Sequence, residues 1–281
     1  MSASGTPALR VGRIGFANCT PLFLALEEQG PQPGVSYVRG VPTELNAALR
    51  EGSVHLSPSS SAEYLARPDL YGFLPDLSIS AIGPVESVVL FSRRPLEELG
   101  GRPVGLSPAS ATSVALLRVL LEGRLGVRPR YVAPEDDPEA VLWIGDRALR
   151  EARAGGETRW PHAFDLGALW YEATGTPFVF ALWICRRDAF HAFPGAVRAF
   201  YRELVRARQR AYRSYPAYAR RSPEAAWMGE EALLAYWQTI SYDLTAWHLE
   251  GLRLFAREAA ALGLLPGPAP LVPLPVEAPP A

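Results

Sequence analysis

Lysine is absent from this chain of 281 residues, and its 28 basic residues are all arginines. A Schiff base with pyridoxal phosphate requires a lysine amine, and a Walker-type phosphate-binding loop requires a lysine as well. The sequence therefore excludes both kinds of site.

Cysteine and histidine are also scarce. Cys19 and Cys185 are too few for a disulfide framework and lack the spacing of a metal site, and the four histidines are scattered along the chain. We therefore expect both thiols to be reduced and packed in the interior, and we expect neither a metal nor a cofactor.

A basic excess, a long apolar run and a secretory signal are missing too. The formal net charge is −1, whereas nucleic-acid-binding proteins usually carry a clear positive charge. No apolar run reaches the length of a membrane span, and the first residues lack the basic and apolar parts of a signal peptide. We therefore expect a cytoplasmic protein that binds a small molecule, with no nucleic-acid or membrane partner.

Two short apolar runs organise the rest of the sequence. Residues 87–92 and 176–183 are rich in β-branched and aromatic residues and are too short for helices, which is typical of buried strands. The segment between them has strand and helix signals of its own. The sequence therefore predicts an α/β protein of two lobes, joined by two crossover strands, with a ligand cleft between the lobes. The first lobe would comprise residues 1–92 and 178–265, the inserted second lobe residues 93–177, and a proline-rich tail residues 266–281.

Polar residues stand where predicted strands end and helices begin. Asn18 follows the first strand, and ligands of open α/β sheets bind at such strand ends. Serine-rich segments at 57–61 and 107–113 precede one helix in each lobe, and the hydroxyl and N–H groups of a helix start can hold a carboxylate. Helix capping explains these residues equally well, and it is the favoured interpretation for Asp146, which ends the apolar strand 141–146.

From the residues alone, the cleft is a binding site for a small anion. The candidates that line it are Asn18, Ser60, Ser61, Ser87, Ser110, Thr112 and Ser113. They include no catalytic triad, no paired carboxylates and no metal ligands. Any reaction would therefore depend on orientation and desolvation of the substrate.

Several motifs resemble those of the chorismate dehydratase family of the futalosine menaquinone pathway. They are GRIGFANCTPL at 12–22, PTELN at 42–46, SATS at 110–113, IGDRAL at 144–149, and DLGALW at 165–170 followed by PFVFALW at 177–183. The resemblance runs over residues 10–264 and implies the two-lobed fold of type 2 periplasmic binding proteins. It also implies a reaction that removes water from chorismate to give 3-[(1-carboxyvinyl)oxy]benzoate. His55 stands where that family often has aspartate, at a position that we expect to support the structure.

With chorismate as the substrate, the candidate residues take specific roles. Asn18 and Ser87 are the candidate catalytic residues, which would orient the substrate and hydrogen-bond the hydroxyl that leaves. The candidates for binding its two carboxylates are Ser60, Ser61, Ser110, Ala111, Thr112, Ser113, Gly145 and Asp146. These groups would also stabilise charge that develops on the ring carboxylate. Because no protein base presents itself, we hypothesise that the enolpyruvyl carboxylate of the substrate accepts the ring proton.

Two alternatives remain. The sibling enzyme of the same pathway and fold, 1,4-dihydroxy-6-naphthoate synthase, is expected to use a histidine base near a strand end of the inserted lobe, but residues 144–146 contain no histidine. The other alternative is a non-catalytic protein that binds a small anion. A transport protein of that kind would need a secretion signal. A sensor would usually be joined to a DNA-binding or signalling domain, for which the chain has no room.

Overall fold

The computed structural model describes residues 8–154, 159–267 and 270–277. The strands within these ranges are β1 (Leu9–Ile14), β2 (Val35–Gly40), β3 (Leu56–Ser60), β4 (Tyr71–Ala81), β5 (Val88–Ser92), β6 (Pro103–Gly105), β7 (Arg130–Val132), β8 (Ala140–Ile144), β9 (His162–Asp165), β10 (Phe178–Arg186) and β11 (Ile240–Leu244). The helices are α1 (Thr20–Glu28), α2 (Pro42–Glu51), α3 (Ser61–Ala66), α4 (Ala111–Arg118), α5 (Gly145–Arg153), α6 (Leu166–Thr174), α7 (Arg187–Ala192), α8 (Pro194–Arg221), α9 (Ala225–Met228), α10 (Glu230–Thr239) and α11 (Ala246–Ala261). A 3₁₀ turn covers Leu96–Leu99, and a π-helical segment, Val119–Arg124, continues α4. None of the helices in the described ranges is long and apolar enough to cross a membrane.

The first sheet has the strand order β11-β4-β10-β3-β1-β2. β1 runs parallel to β2 and β3, whereas β10 is antiparallel to both of its neighbours. Trp183 of β10 packs against Phe200 of α8, and Phe178 of the same strand packs against Phe255 of α11. β10 is therefore enclosed by paired strands at both edges and by helices, which explains why its sequence is an apolar run without alternation.

The second sheet has the strand order β7-β6-β8-β5-β9, in which β5 is antiparallel to β8 and β9. The prediction that residues 1–92 belong to the first lobe differs from the structure at Val88–Ser92, which lies in the second sheet. A buried apolar run fits the middle of either sheet, so its sequence does not reveal its partners. The chain enters the second sheet between β4 and β5 and returns to the first sheet at β10. The residue bounds of the two lobes otherwise stay a prediction.

Residues 57–61, which the sequence indicated as a serine-rich segment before a helix, are mostly part of the buried strand β3, which pairs with β1 and β10. Ser57 fits against β1 because Gly12 has no side chain, and a Cβ there would lie 2.2 Å from Ser57 Oγ. Ser60 ends the strand and caps α3, since its Oγ accepts a hydrogen bond from Glu63 N–H at 3.3 Å. Backbone pairing within the sheet thus overrides the local turn signal of the serines.

The described part of the proline-rich tail packs on β4. Leu274 is buried, and its N–H donates to Phe73 O at 2.8 Å. The side chain of Leu274 occupies the space beside Gly72, where a Cβ would lie 2.4 Å from Leu274 Cδ2. The other residues of the predicted tail, 268–269 and 278–281, lie outside the described residues.

Candidate active site

A cavity lies between the two sheets, and strand ends and helix starts of both sheets form its wall. The residues that line it are Ile14, Phe16, Asn18, Cys19, Pro42, Ser59, Ser60, Ile79, Val85, Ser87, Val88, Ser110, Ser113, Ile144, Gly145, Phe180 and Ala181. Its mostly apolar wall with a few polar groups is typical of small-molecule sites.

The cavity brings many of the predicted site residues together. Those at its wall are Asn18, Ser60, Ser87, Ser110, Ser113 and Gly145. Those away from its wall are Ser61, Ala111, Thr112 and Asp146. Ser59 and Cys19 line the cavity without having been predicted. Recognising residues 56–60 as a strand that ends at the cleft would have indicated Ser59. The roles of all these residues in binding stay predictions.

Asn18 lies in the turn between β1 and α1, where its backbone is held firmly. Tyr242 donates its hydroxyl to Asn18 O at 2.8 Å, and Trp237 donates Nε1–H to Ala17 O at 2.8 Å. Ala17 N–H donates to Asp146 Oδ1 at 2.9 Å. The Oδ1 atom of Asn18 is itself buried and has no hydrogen-bond partner among the described residues. Leaving such an atom without a partner costs stability, so the amide is available to a ligand.

Ser87 lies just before β5, where the chain enters the second sheet. The residue is buried, and its Oγ–H donates to Val85 O over 3.3 Å. Its carbonyl accepts from Gly145 N–H at 2.7 Å. A hydroxyl can rotate out of a bond this long, so Ser87 can donate to a ligand instead.

Asp165 holds the segment that carries Ser87. Its carboxylate accepts from Val85 N–H at 3.0 Å and Glu86 N–H at 2.6 Å, and it caps α6 through Ala168 N–H at 3.0 Å. Glu86 has a φ of 57°, in the left-handed region that non-glycine residues rarely adopt. Burial raises the pKa of Asp165, and the hydrogen bonds that it accepts oppose that rise. Local sequence could not indicate this role, because the partners before β5 lie 79 and 80 residues away.

The serines at the start of α3 differ in what they contact. Ser60 Oγ accepts a hydrogen bond from Asn46 Nδ2 at 3.3 Å. Ser61 donates its hydroxyl to Val179 O at 2.6 Å and does not reach the cavity. Ser59 Oγ is buried at the cavity wall and has no partner in the part of the chain that the structure describes. Ser59, rather than Ser61, therefore offers a free hydroxyl to a ligand.

The start of α4 is capped by its own serines. Ser110 Oγ accepts from Ser113 N–H at 3.2 Å and from Ser113 Oγ–H at 3.0 Å, and both side chains line the cavity. Thr112 contacts α3 instead, where its Oγ1 accepts from Ala62 N–H at 3.0 Å. The two helix starts therefore contact each other directly rather than facing each other across open space, and the Thr112 hydroxyl is already engaged.

Cys19 is the single titratable residue in the wall that the described residues form. Burial raises the pKa of its thiol well above the usual value, and the charge of Asp146 adds to that rise. The thiol is therefore protonated at neutral pH, and it is inert both as a nucleophile and as a base. The other polar groups of the wall are hydroxyls and amides, which bind and orient an anion but do not take up a proton at neutral pH.

His55 lies away from this cavity. Its Nδ1 accepts a hydrogen bond from Arg10 N–H at 3.1 Å, and its ring stacks on Phe193 with the centroids 5.2 Å apart. Burial lowers the pKa of His55, and the charge of Arg10 lowers it further. These contacts agree with the structural role expected at this position. Among residues 8–154, 159–267 and 270–277, no cluster of histidine, cysteine, aspartate and glutamate could hold a metal ion.

Sequence comparisons relate the chain to one protein family and to enzymes with two different names. A family model described as menaquinone biosynthesis matches residues 9–261. A chorismate dehydratase of Thermus thermophilus is 41% identical over 200 residues, which cover 63% of this chain and 70% of the relative. A 1,4-dihydroxy-6-naphtoate synthase of the same organism is 30% identical over 287 residues, which cover 92% of this chain and 98% of the relative.

Comparison with solved structures identifies the fold. The periplasmic aliphatic sulphonate binding protein SsuA of Escherichia coli superposes with a TM-score of 0.63 and 18% identity, over 99% of this chain and 96% of that protein. At this identity the likeness concerns the fold alone. The predicted α/β fold of the two-lobed, periplasmic-binding-protein type is confirmed.

Proposed function

The chain belongs to the menaquinone biosynthesis family, and on that premise we propose that it is a chorismate dehydratase. Its reaction is the elimination of water from chorismate to give 3-[(1-carboxyvinyl)oxy]benzoate, which makes it a carbon–oxygen lyase. The observation that carries the proposal is a cavity wall with hydroxyls and a partnerless amide oxygen, but without an ionised side chain among its described residues. The 41% identity to the dehydratase, against 30% to the synthase, supports the same assignment.

The elimination suits a wall of this kind because the substrate supplies much of the driving force. Chorismate loses the proton at ring C3 and the hydroxyl at C4, which leave together as one water, and no electrons are gained or lost. The C3 proton is acidic because the diene passes charge to the ring carboxylate, and the product gains aromaticity. The protein therefore has to orient the two departing groups and exclude water rather than supply a strong base.

Asn18 and Ser87 are the proposed catalytic residues. The amide of Asn18, whose oxygen lacks a partner in the described structure, hydrogen-bonds the C4 hydroxyl and holds it in the orientation from which it leaves. Ser87 Oγ–H turns from Val85 O to the same hydroxyl and stabilises the charge on oxygen as the C–O bond breaks.

The two carboxylates of chorismate are bound by two groups of hydroxyls in the wall. One group is Ser59 and Ser60 at the end of β3, and the other is Ser110 and Ser113 at the start of α4. Because the described wall has no carboxylate or imidazole to accept the C3 proton, we assign that role to the enolpyruvyl carboxylate of the substrate. This carboxylate passes the proton to the departing hydroxyl, so that one water leaves. Chorismate is thus the small-molecule partner, and a cytoplasmic location remains part of the proposal.

The runner-up is the naphthoate synthase of the same pathway, and the observation in its favour is an alignment that covers 98% of the synthase from Thermus thermophilus. That activity is expected to use a histidine base near a strand end of the second lobe. The cavity wall described here contains no histidine, and Ile144 and Gly145 occupy the corresponding strand end. We therefore rank the synthase below the dehydratase.

The test is to incubate the purified chain with chorismate, without added metal or cofactor, and to analyse the products by chromatography with mass detection. The proposal expects an aromatic product that is lighter than chorismate by one water. If chorismate is unchanged but raises the melting temperature, the chain is a binding protein without this activity. If a cyclic futalosine derivative is converted instead, the synthase assignment is right.

Asn18→Ala and Ser87→Ala test the assigned roles. Each removes a group that acts on the leaving hydroxyl, so we expect kcat to fall by about 100-fold or more. The melting temperature of Asn18→Ala should change little, because Oδ1 has no protein partner to lose among the described residues. Wild-type turnover in both variants would refute these roles without refuting the reaction.

A further inference from the structure

We propose that Asp146 is a positioning residue that fixes Asn18 at the cavity wall, and not the substrate ligand that the sequence indicated. The inference rests on the proposed function, because it takes Asn18 to contact the leaving hydroxyl. Asp146 is also not the N-cap of α5, contrary to the favoured sequence interpretation. It lies in the first turn of that helix, and the N-cap residue is Ile144, which makes no side-chain capping bond.

The bond that supports this role joins the two sheets. Asp146 belongs to α5, which follows β8 of the second sheet, whereas Ala17 follows β1 of the first sheet. Asp146 Oδ1 accepts the N–H of Ala17 at 2.9 Å, across 129 residues of sequence. Ala17 is fully buried, so this hydrogen bond to a carboxylate is strong and its loss leaves a buried N–H without an acceptor.

The first turn of α5 connects to both proposed catalytic residues. Gly145 N–H donates to Ser87 O at 2.7 Å, and the next residue, Asp146, accepts from the N–H before Asn18. Gly145 has a φ of 60° and lies against Phe16, where a Cβ would be 3.0 Å from the ring. Two consecutive residues of one helix therefore set the position of Asn18 relative to Ser87.

Two further hydrogen bonds hold the backbone around Asn18, and they come from β11 of the first sheet and from the helix α10 before it. Trp237 of α10 binds the carbonyl of Ala17, and Tyr242 of β11 binds the carbonyl of Asn18. The Ala17 N–H receives its acceptor from α5 on the second sheet. All three of these hydrogen bonds are present in this structure. The bond to Asp146 is the one of the three that would break if the two sheets moved apart.

α5 makes a further contact one turn after Asp146, with the helix α9. Arg150, one turn later, lies over the ring of Trp227 in α9 with its guanidinium carbon 3.9 Å from the ring centroid. Burial raises the pKa of Asp146, the bond from Ala17 lowers it, and the neighbouring charges of Glu224 and Arg150 act in opposite directions. A carboxylate that only favoured the start of α5 would not need the hydrogen bond to Ala17 in the other sheet's connection, whereas half-buried Asp146 makes that bond.

Three substitutions at Asp146 distinguish two roles for its side chain. One is to accept the Ala17 N–H and so position Asn18, and the other is to stabilise the start of α5 by its negative charge. Asp146→Ala removes the acceptor, so we expect kcat to fall about 10- to 100-fold while KM changes by less than about threefold. Asp146→Asn loses the charge but keeps an acceptor oxygen in the same place, so kcat should stay within about threefold of the wild type. Asp146→Glu keeps the charge but moves the acceptor by one methylene, so kcat should fall as in the alanine variant.

Arg147→Ala is the matched control, because it changes the charge of the same helix turn at an exposed residue without a bond to Ala17. Its kcat should equal that of the wild type. If Asp146→Asn falls as far as Asp146→Ala while Asp146→Glu is unaffected, the helix charge matters and the inference is wrong. Wild-type kcat in Asp146→Ala also overturns it.

Amide hydrogen exchange of peptides that cover residues 16–19 gives a readout that does not depend on turnover. We expect faster exchange of the Ala17 amide in Asp146→Ala and unchanged exchange in Asp146→Asn. If the wild type does not convert chorismate, the proposed function fails while the exchange data still decide whether Asp146 holds this segment. Unchanged exchange in Asp146→Ala would refute the positioning role in either case.

Discussion

The starts of α3 and α4 both bring clustered hydroxyls to the cavity, but they use them differently. At α4, the capping serine and its partner, Ser110 and Ser113, bond to each other and still face the cavity. At α3, the Ser61 hydroxyl donates a hydrogen bond to the backbone carbonyl of Val179, whereas the Ser59 hydroxyl has no partner among the residues that the structure describes. A cluster of serines in a sequence therefore combines structural and available hydroxyls, and the geometry decides which is which.

The two starts also contact each other, since the Thr112 hydroxyl accepts the Ala62 N–H of α3. α3 covers only Ser61–Ala66, so its helix dipole is small, and two of its first N–H groups are already bonded to Thr112 and Ser60. Anion binding on this side therefore depends on the hydroxyls of Ser59 and Ser60 more than on the helix itself.

Comparing Ser59→Ala with Ser61→Ala should give the largest contrast between functional and structural hydroxyls. Because a hydrogen bond to a charged group contributes about 1.5–3 kcal/mol, we expect Ser59→Ala to raise KM for chorismate at least about 10-fold. Its melting temperature should not fall, since no protein bond is lost in the described structure. Ser61→Ala should leave KM unchanged and lower the melting temperature, because Val179 O loses its donor. If Ser59→Ala and Ser61→Ala changed KM equally, the assignment of Ser59 to substrate binding and of Ser61 to the structure would be wrong.

At α4, one hydroxyl should show both effects at once. Ser110→Ala removes the cap and a cavity hydroxyl, so we expect a loss of about 1 kcal/mol in the free energy of unfolding together with a raised KM. Ser110→Asp keeps the cap but adds a negative charge beside the bound carboxylates, so KM should rise without the loss of stability. Denaturant unfolding and steady-state kinetics measure the two quantities. A stable Ser110→Ala variant would contradict the capping role.

The contact between the two helix starts should matter for stability alone. Thr112→Val keeps the shape but leaves the Ala62 N–H without its acceptor, so we expect the free energy of unfolding to fall by about 1–3 kcal/mol. KM should stay within about twofold, because an engaged hydroxyl is not a ligand. Thr112→Ser, which keeps the oxygen, is the control and should resemble the wild type. A large rise in KM for Thr112→Val would show that Thr112 binds the substrate, as the sequence analysis predicted.

A third helix start, that of α6, is capped by Asp165. We expect the smallest effect here, a change in the free energy of unfolding with pH. Burial raises the pKa of Asp165 above its ordinary value of 3.8. The folded state therefore binds the proton more tightly than the unfolded state, and the contribution of Asp165 to stability is greatest at low pH and declines as the pH rises through its folded pKa. Relative to Asp165→Asn, the free energy of unfolding of the wild type should decrease from about pH 4 upward and then level off. An increase over that range would show that the pKa is lowered.

Much of this fold follows from local sequence, and the failures share one physical cause. The apolar runs at 87–92 and 176–183 are strands, and Ser60 and Ser110 cap helices as their positions predict. The sequence did not indicate that β5 lies in the second sheet, because strand pairing is set by distant residues. β3 was not identified as a strand because serine favours turns when its neighbours in space are unknown.

The site shows the same limit more clearly. That Asn18 would line the cavity could be predicted because it follows β1, and open α/β sheets bind ligands beyond the ends of their strands. Ser87, predicted with it, also lines the cavity, and the roles of both residues stay predictions. The contacts that hold them could not, since Asp146 and Asp165 act on backbone N–H groups that are far away in sequence. The pattern of a single sequence therefore indicates the residues that line a cleft better than the residues that hold those residues in place.

The pH dependence of chorismate turnover tests the central claim most directly. Measured on chelator-treated protein from about pH 6 to pH 9, kcat should be nearly constant, because no described side chain of the wall titrates in that range and the substrate carboxylates stay ionised. A rate that rises or falls with a single pKa in this range, or the absence of any dehydrated product, would contradict an elimination driven by orientation in an uncharged cavity.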